Sequence, residues 1–217
     1  MPKEIAPVWT PVALSTDLPV ASVVPARLAN GALAIWRAQS GSVSAVADRC
    51  PHRGMRLSHG FVRGEALSCI YHGWRYSKTG NCLAIPAHPS LTPPDAIRVA
   101  TYRADERDGV IWVSEEENAA DMPSNDGLSG LRTIALSATA ATIAASLSTE
   151  VVENAIDWTI NGMKARLLTA PSGEDGMLLL HLLIENGATQ AQKNTASTAL
   201  ESLRRQAEAA TRRGEAA

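Results

Sequence analysis

Short runs of hydrophobic residues separated by turn residues characterise the first half of the chain. Three of these runs have the length of a single strand: Ala32–Trp36, Val43–Ala47 and Val110–Val113. Glycines stand between the runs, at positions 31, 41, 64, 80 and 109. Short apolar runs bounded by turn residues are typical of β-strands. The pattern therefore predicts an antiparallel β domain over residues 1–116.

A polar segment without hydrophobic periodicity follows this domain. It begins with the acidic run Glu115–Glu117 and continues with Asn118, Pro123, Asn125, Asp126 and Gly127. Clusters of acidic, Pro, Asn and Gly residues favour a connector over a helix or a strand. We predict a linker at 117–130, between a first domain at 1–116 and a second domain at 131–217.

The second half of the chain has a different pattern, in which Ala, Leu and Thr dominate and aromatic residues are few. Two strands are predicted there, one within Leu131–Leu147 and one at Gly176–Ile184. From Ser197 onward, apolar residues recur at steps of three and four, at Leu200, Leu203, Ala207 and Ala210. Such steps are typical of an amphipathic helix. The second domain is therefore predicted to be a small α+β domain with a C-terminal helix.

Composition and charge argue against several classes of function. The 217 residues include 20 Lys and Arg against 22 Asp and Glu, which gives a net charge of −2. Without a basic block, nucleic acid is not an expected partner. The N-terminal residues lack the regions of a secretory signal, and the weakly polar stretch Thr133–Leu147 is too short to span a bilayer. Three cysteines, an odd number, argue against disulfides. We expect a cytoplasmic protein that does not bind a membrane.

Two ligand pairs of mixed type carry the chemistry of the first domain. Cys50 and His52 form one pair, Cys69 and His72 form the other, and 16 residues separate the pairs. Tetrahedral zinc is the first competitor for such a set. Only one residue separates Cys50 from His52, and this spacing is shorter than the one usual between zinc-binding cysteines. A Rieske [2Fe–2S] cluster instead needs one Cys and one His from each loop, because the thiolates bind one iron and the imidazoles bind the other.

The residues around these pairs resemble the Rieske domain of ring-hydroxylating and demethylating oxygenases. The similarity lies in Asp48–Met55, Gly60–Gly64, Cys69–Tyr76 and Ile85–Pro86. It implies an antiparallel β-sandwich with two cluster-binding hairpin loops. Respiratory Rieske proteins have a further cysteine in each loop, and here those places hold Met and Tyr. The resemblance therefore favours the oxygenase class, and it leaves Cys82 as a small buried hydrophobic residue.

The second domain resembles the oxygenase catalytic domain, with the mononuclear iron ligands missing. Val151–Ile160 is similar to the oxygenase helix that leads to the first iron-binding histidine, and the places of the two histidines are taken by Ile160 and Ala165. We therefore expect no mononuclear iron. Asn154 and Asp157 match family positions, and the resemblance implies that Asp157 lies on an electron path between subunits. The end of the chain resembles the vanillate demethylase group and implies a shortened catalytic domain.

These features predict an electron-transfer component or non-catalytic subunit of a Rieske oxygenase system that acts on aromatic or related small molecules. The expected partners are a flavin reductase or ferredoxin as donor and a separate oxygenase subunit as acceptor, and an oligomer is compatible with this role. One alternative is a catalytic oxygenase in which His181 and a carboxylate, Asp157 or Glu153, bind iron. Another is a structural or regulatory subunit. His59, His88 and His181 are expected to be ordinary surface or core histidines.

Overall fold

The structure is a computed structural model that describes residues 9–116, 121–174 and 176–215. Residues 117–120 of the predicted linker lie outside the described residues. The chain divides into two compact units, the first built mainly from Thr16–Glu106 and the second mainly from Pro123–Ala217. The second unit also includes Thr10–Ser15 and Arg107–Ile111. The predicted domain bounds, 1–116 and 131–217, stay a prediction.

The strands that precede residue 117 are short. They are β1 Thr10–Leu14, β2 Ser22–Leu28, β3 Gly31–Arg37, β4 Val43–Ala47, β5 Phe61–Arg63, β6 Ala66–Ser68, β7 Arg75–Tyr76, β8 Cys82–Ala84, β9 Thr101–Arg107 and β10 Val110–Ser114. Two 3₁₀ turns accompany them, at Ser15–Asp17 and Leu57–His59. The three strands predicted from hydrophobic runs correspond to β3, β4 and β10.

The first unit contains two antiparallel sheets that share a core. One has the order β9-β4-β3-β2 and the other the order β5-β6-β7-β8. The side chains of Trp36 and Val46 from the first sheet and Leu67 and Tyr76 from the second belong to one buried cluster. This arrangement confirms the predicted antiparallel β fold.

Apart from Thr10–Ser15 and Arg107–Ile111, the described part of the second unit consists of a four-stranded antiparallel sheet with two helices. Its elements are β11 Leu128–Leu136, α1 Ala140–Ser146, β12 Ala155–Ile160, β13 Met163–Pro171, β14 Leu178–Glu185 and α2 Gln190–Glu215. The strand order is β11-β14-β13-β12. Leu200 and Leu203 of α2 pack with Leu167 and Leu182 of the sheet. The predicted α+β character of this half is confirmed, as are the strands within Leu131–Leu147 and at Gly176–Ile184.

The C-terminal helix begins seven residues before the predicted start at Ser197. Thr189 and Gln192 form a reciprocal cap, because the Thr189 hydroxyl accepts from the Gln192 backbone N–H at 3.3 Å and the Gln192 side chain accepts from the Thr189 N–H at 2.8 Å. The Thr-x-x-Gln spacing is a signature of a helix start. Within the described residues, no helix is long and apolar enough to cross a membrane.

The prediction of an oxygenase helix at Val151–Ile160 is wrong, because the second part of this segment forms strand β12. β12 pairs with β13 from Ala155↔Leu168 to Ile160↔Met163. The turn between them is Asn161-Gly162, and both residues have positive φ, 50° and 85°. Asn-Gly between apolar runs is a strong signal for a two-residue hairpin. β-branched and aromatic residues in the segment also favour a strand over a helix.

Candidate metal centre

The first ligand loop leaves β4 and closes on itself around Cys50. The Cys50 N–H donates to the Met55 carbonyl at 2.8 Å, and the Gly54 N–H donates to the Cys50 carbonyl at 2.8 Å. Gly54 has φ +73°, in the left-handed region that glycine adopts without steric cost. The loop therefore presents the Cys50 and His52 side chains from a closed backbone turn.

The second ligand loop, between β6 and β7, repeats this construction. The Cys69 N–H donates to the Trp74 carbonyl at 2.9 Å, and the Gly73 N–H donates to the Cys69 carbonyl at 3.0 Å. Gly73, like Gly54, stands four residues after its cysteine and has positive φ, +70°. A Cβ at Gly73 would also lie 3.0 Å from Cγ of Pro86. Both loops thus need glycine at the same place relative to the cysteine.

Buried hydrogen bonds fix the base of the first loop. The Asp48 carboxylate is buried and accepts from the N–H and the hydroxyl of Ser58, both at 2.7 Å. The chain then passes very close to the second loop at Gly60, where a Cβ would collide with the Ser68 carbonyl oxygen. These contacts hold the segments that carry Cys50 and Cys69 side by side.

The two thiols lie together in the core of the first unit. Cys50 and Cys69 are each 2% exposed and belong to the buried cluster that includes Tyr76. Burial raises the pKa of the Cys69 thiol, and the neighbouring Cys50 raises it further. The Tyr76 hydroxyl lies 3.1 Å from the Cys50 sulfur. Burial, together with this hydrogen bond, raises the pKa of Tyr76, so the phenol keeps its proton.

The two imidazoles form a second pair. The ring centroids of His52 and His72 are 4.7 Å apart. The His52 ring stacks on Trp74 at 4.5 Å with the planes nearly parallel, and Tyr71 lies 3.9 Å from the His72 ring. Burial lowers the pKa of His52, with contributions from His72 and Arg53. The lowered pKa favours the neutral imidazole, which is the form that binds a metal.

One ring nitrogen in this pair is unpartnered within the described residues. Nδ1 of His52 is buried and has no hydrogen bond there. A buried polar atom normally has a partner. An iron bound at this nitrogen would satisfy it, and the thiol pair and imidazole pair supply the two-sulfur, two-nitrogen donor set of a Rieske cluster. The residues present therefore fit such a cluster.

Comparison with known proteins agrees with this geometry. Residues 8–103 match the model of the Rieske [2Fe-2S] domain family. The first half of the chain is therefore a Rieske [2Fe–2S] domain, and the predicted resemblance to Rieske oxygenases is confirmed.

The curated relatives match about half of the chain. Oxidoreductase NdmD of Pseudomonas putida is 49% identical over 107 residues, which are 49% of this chain and 18% of the relative. The 3-chlorobenzoate-3,4-dioxygenase oxygenase subunit of Comamonas testosteroni is 40% identical over 110 residues, 48% of this chain and 25% of the relative. The chain thus spans a quarter or less of the length of these two relatives.

Solved structures match the fold over most of the chain. Apo dicamba monooxygenase has a TM-score of 0.74 at 18% identity and covers 96% of this chain and 87% of that chain. NdmA of Pseudomonas putida CBB5 with caffeine has a TM-score of 0.70 at 18% identity and covers 90% of this chain and 79% of that chain. At this identity the likeness shows the fold alone.

Residues predicted from the resemblance of the second half lie on its sheet. Asp157 is on β12, and its carboxylate accepts from Arg166 Nε at 2.7 Å. Ile160 and Ala165 are buried in the core against α2. Because the segment expected to be a helix is a strand, the resemblance that implied a role for Asp157 has no support from the structure of this segment. An electron path through Asp157 stays a prediction.

The histidine of the alternative iron site is already engaged. His181 is buried on β14, with Nδ1 2.9 Å from the Thr133 hydroxyl and Nε2 3.1 Å from the Pro11 carbonyl. Glu153 lies in the turn before β12, with φ +55°. Among residues 9–116, 121–174 and 176–215, no group of three His, Cys, Asp or Glu converges to hold a single metal ion.

Two residues that sequence reasoning left without a role complete the site. Tyr76 closes the Cys69–Tyr76 motif and reaches the sulfur of the other loop, and Asp48 opens the first motif and anchors Ser58. Both residues lie inside the stretches that carry the family resemblance, and this position was the sequence signal that could have pointed to their role in the site. Cys82 is buried, as predicted, and its sulfur lies 3.7 Å from the Ala84 carbonyl.

Proposed function

We propose that Cys50, His52, Cys69 and His72 hold the [2Fe–2S] cluster, with the two thiolates on one iron and the two imidazoles on the other. The separation of the side chains into a buried thiol pair and an imidazole pair is the observation that carries this assignment. When bound, such a cluster accepts and returns one electron, and neutral imidazole ligands make it easier to reduce than an all-thiolate cluster.

The protein would act in a Rieske oxygenase system as an electron-transfer component without oxygenase activity of its own. The donor would be a flavin reductase or a ferredoxin, and the acceptor would be the mononuclear iron of a separate oxygenase chain acting on an aromatic or related small molecule. The exposed His72 and the half-exposed His52 support electron exit at the imidazoles. Relatives named as an oxidoreductase and as an oxygenase subunit support the system, and they do not identify the substrate.

The proposal includes the absence of a mononuclear iron from this chain. Its support is the position of His181, whose two ring nitrogens both lie within hydrogen-bond distance of protein oxygens. A histidine with both nitrogens occupied offers no lone pair to a metal without breaking a buried hydrogen bond. Within the part of the chain that the structure describes, no contact of Asp157 or Glu153 favours the catalytic alternative.

Iron and sulfide analysis of the purified protein tests the assignment. We expect about two irons per chain and the spectrum of a Rieske centre, and about three irons would indicate an additional iron site. Cys50→Ala and Cys69→Ala should abolish the cluster, whereas Cys82→Ala, the matched control in the same core, should retain it. Turnover of an aromatic substrate by this chain with a reductase alone would contradict the electron-carrier role.

A further inference from the structure

The segment that forms the two ligand loops is positively charged, although the whole chain has a net charge of −2. Residues 48–78 contain six basic side chains and two acidic ones. The basic residues, all exposed, are Arg49, Arg53, Arg56, Arg63, Arg75 and Lys78. Three of the arginines fall within eight residues around the first ligand pair. The charge of the chain is therefore unevenly distributed along the sequence, with an excess of positive charge in the segment that carries the imidazoles.

Both acidic residues of the segment are committed to hydrogen bonds within the protein. Asp48 is buried and bonded to Ser58, as described above. Glu65 accepts from the Ser40 N–H at 2.9 Å and from its hydroxyl at 2.8 Å. Both carboxylates keep their negative charge, but among the described residues neither forms an ion pair with an arginine. Two acidic groups therefore offset only part of the charge of the six basic ones.

The arginines nearest the ligands have no ion pair among the described residues. This holds for Arg49, Arg53, Arg56 and Arg75, whereas Arg37 pairs with Glu106 at 2.7 Å in the same unit. Arg49 extends along the first loop, where its guanidinium lies 3.5–3.8 Å from the place of a Cβ on Gly54. Four exposed guanidinium groups therefore remain available to carboxylates of another molecule.

The same two ligand loops also carry exposed apolar side chains. Ile70 is 56% exposed and Tyr71 is 54% exposed, and both stand between Cys69 and His72. Pro51, between Cys50 and His52, is also exposed. Exposed apolar and charged side chains next to the imidazole pair suit a small and transient protein interface, in which an apolar centre has a charged rim.

We propose that Pro51, Ile70 and Tyr71, with the rim of Arg49, Arg53, Arg56 and Arg75, form a docking surface for an electron-transfer protein that has an acidic face. We call these seven residues the docking surface. The inference rests on the proposed function, because the partner is identified by its redox role and its charge. Complementary charge speeds the encounter of the two proteins and orients them. In the transfer itself, the donor loses one electron and the oxidised cluster gains it, and no atom moves between the proteins.

Binding to an acidic probe tests the docking surface without relying on turnover. The probe is an oxidised plant-type ferredoxin, chosen for its negative charge, titrated against the intact cluster-containing protein at low and at high salt. Arg53→Glu with Arg56→Glu should weaken binding about tenfold, since each exposed charge pair changes affinity by roughly two- to fivefold. Added salt should weaken binding of the unmodified protein by a similar factor. Arg205→Glu with Arg212→Glu, two exposed arginines of α2, changes the net charge equally and should leave binding unchanged.

The outcomes separate this inference from the proposed function. Binding that ignores both salt and the Arg53/Arg56 reversal overturns the docking surface, as does equal weakening by the α2 control. Self-association that the same reversal abolishes, in place of ferredoxin binding, also overturns it and makes a second copy the occupant. Photoreduced deazaflavin, a small reductant that needs no docking, should reduce the reversed variant and the unmodified protein at equal rates. If deazaflavin reduces neither, the electron-carrier function fails, while the binding titration still decides the docking surface.

Discussion

Removal of one hydroxyl, in Tyr76→Phe, should lower the reduction potential of the cluster. The Tyr76 oxygen lies 3.1 Å from the Cys50 sulfur, and its raised pKa keeps the phenol protonated. If Cys50 binds iron as a thiolate, as proposed, the phenol is the donor of this hydrogen bond. Reduction adds negative charge to the cluster, and a donor to sulfur stabilises the reduced form more than the oxidised form. Phenylalanine fills nearly the same volume, so the core around Tyr76 should remain packed.

The size of the shift follows from the strength of this hydrogen bond. A hydrogen bond to a charged group contributes about 1.5–3 kcal/mol, and Tyr76 is fully buried, so water does not replace the donor. If about half of that free energy is specific to the reduced cluster, the difference is about 1 kcal/mol. For a one-electron couple, a tenfold change in the equilibrium constant corresponds to about 59 mV. A difference of about 1 kcal/mol therefore lowers the reduction potential by about 40 mV.

A redox titration followed by the visible spectrum or by electron paramagnetic resonance measures the shift. Tyr71→Phe is the matched control, because it removes the same hydroxyl from a side chain that is 54% exposed and stands beside His72. The control should change the potential by less than about 10 mV. An unchanged or increased potential in Tyr76→Phe would refute the role assigned to the hydroxyl.

Three further substitutions test the support of the loops. Gly73→Ala should destabilise the protein by about 2 kcal/mol or more, because a positive φ costs roughly 1–2 kcal/mol for alanine and its Cβ also meets Pro86. Asp48→Ala should cost about 2–3 kcal/mol, since it leaves two buried donors of Ser58 without their acceptor. Glu65→Gln should lower the melting temperature slightly at neutral pH. The hydrogen bonds from Ser40 lower the pKa of Glu65, so this contribution is present above the unfolded pKa and disappears as pH falls through the lower, folded pKa.

Each of these substitutions has a control or a contradicting result, and thermal denaturation serves as the measurement. Gly64→Ala shares the positive φ without a neighbour within 4 Å, so equal destabilisation by both glycine variants would contradict the Pro86 contact. Ser58→Ala removes only the hydroxyl and keeps the N–H. A cost as large as that of Asp48→Ala would contradict the contribution of both hydrogen bonds from Ser58 to Asp48. A Glu65→Gln effect that persists at about pH 3 would contradict the link to its ionisation.

The candidate cluster site could be predicted from the sequence because its signal is local and chemical. Cys50 with His52, and Cys69 with His72, stand at short spacings that a metal centre requires, and glycines follow at positions fixed by loop closure. The reach of Tyr76 to the opposite sulfur could not be predicted, since it depends on how β7 packs against the first loop. Spacing along a chain indicates which residues share a loop, and it does not show contacts between loops.

The second half was harder to predict, since its signals are weak and a family resemblance conflicted with local preference. Val151–Ile160 resembles a helix of larger relatives, yet its β-branched residues and the Asn161-Gly162 turn favour a hairpin. The local preference prevailed. The early start of α2 was visible in the Thr189 cap, whereas the apolar steps used for prediction become regular only after Ser197.

The burial of Cys50 and Cys69 has a consequence for how the protein matures. Both sulfur atoms contribute to the packed interior of the domain, together with Leu67 and Tyr76. If these sulfurs bind the cluster, as proposed, iron and sulfide have to reach them before the interior closes, or during a transient opening of the loops. Maturation of the metal centre and completion of the fold would then be a single event, as in proteins whose ligands are assembled only in the native state.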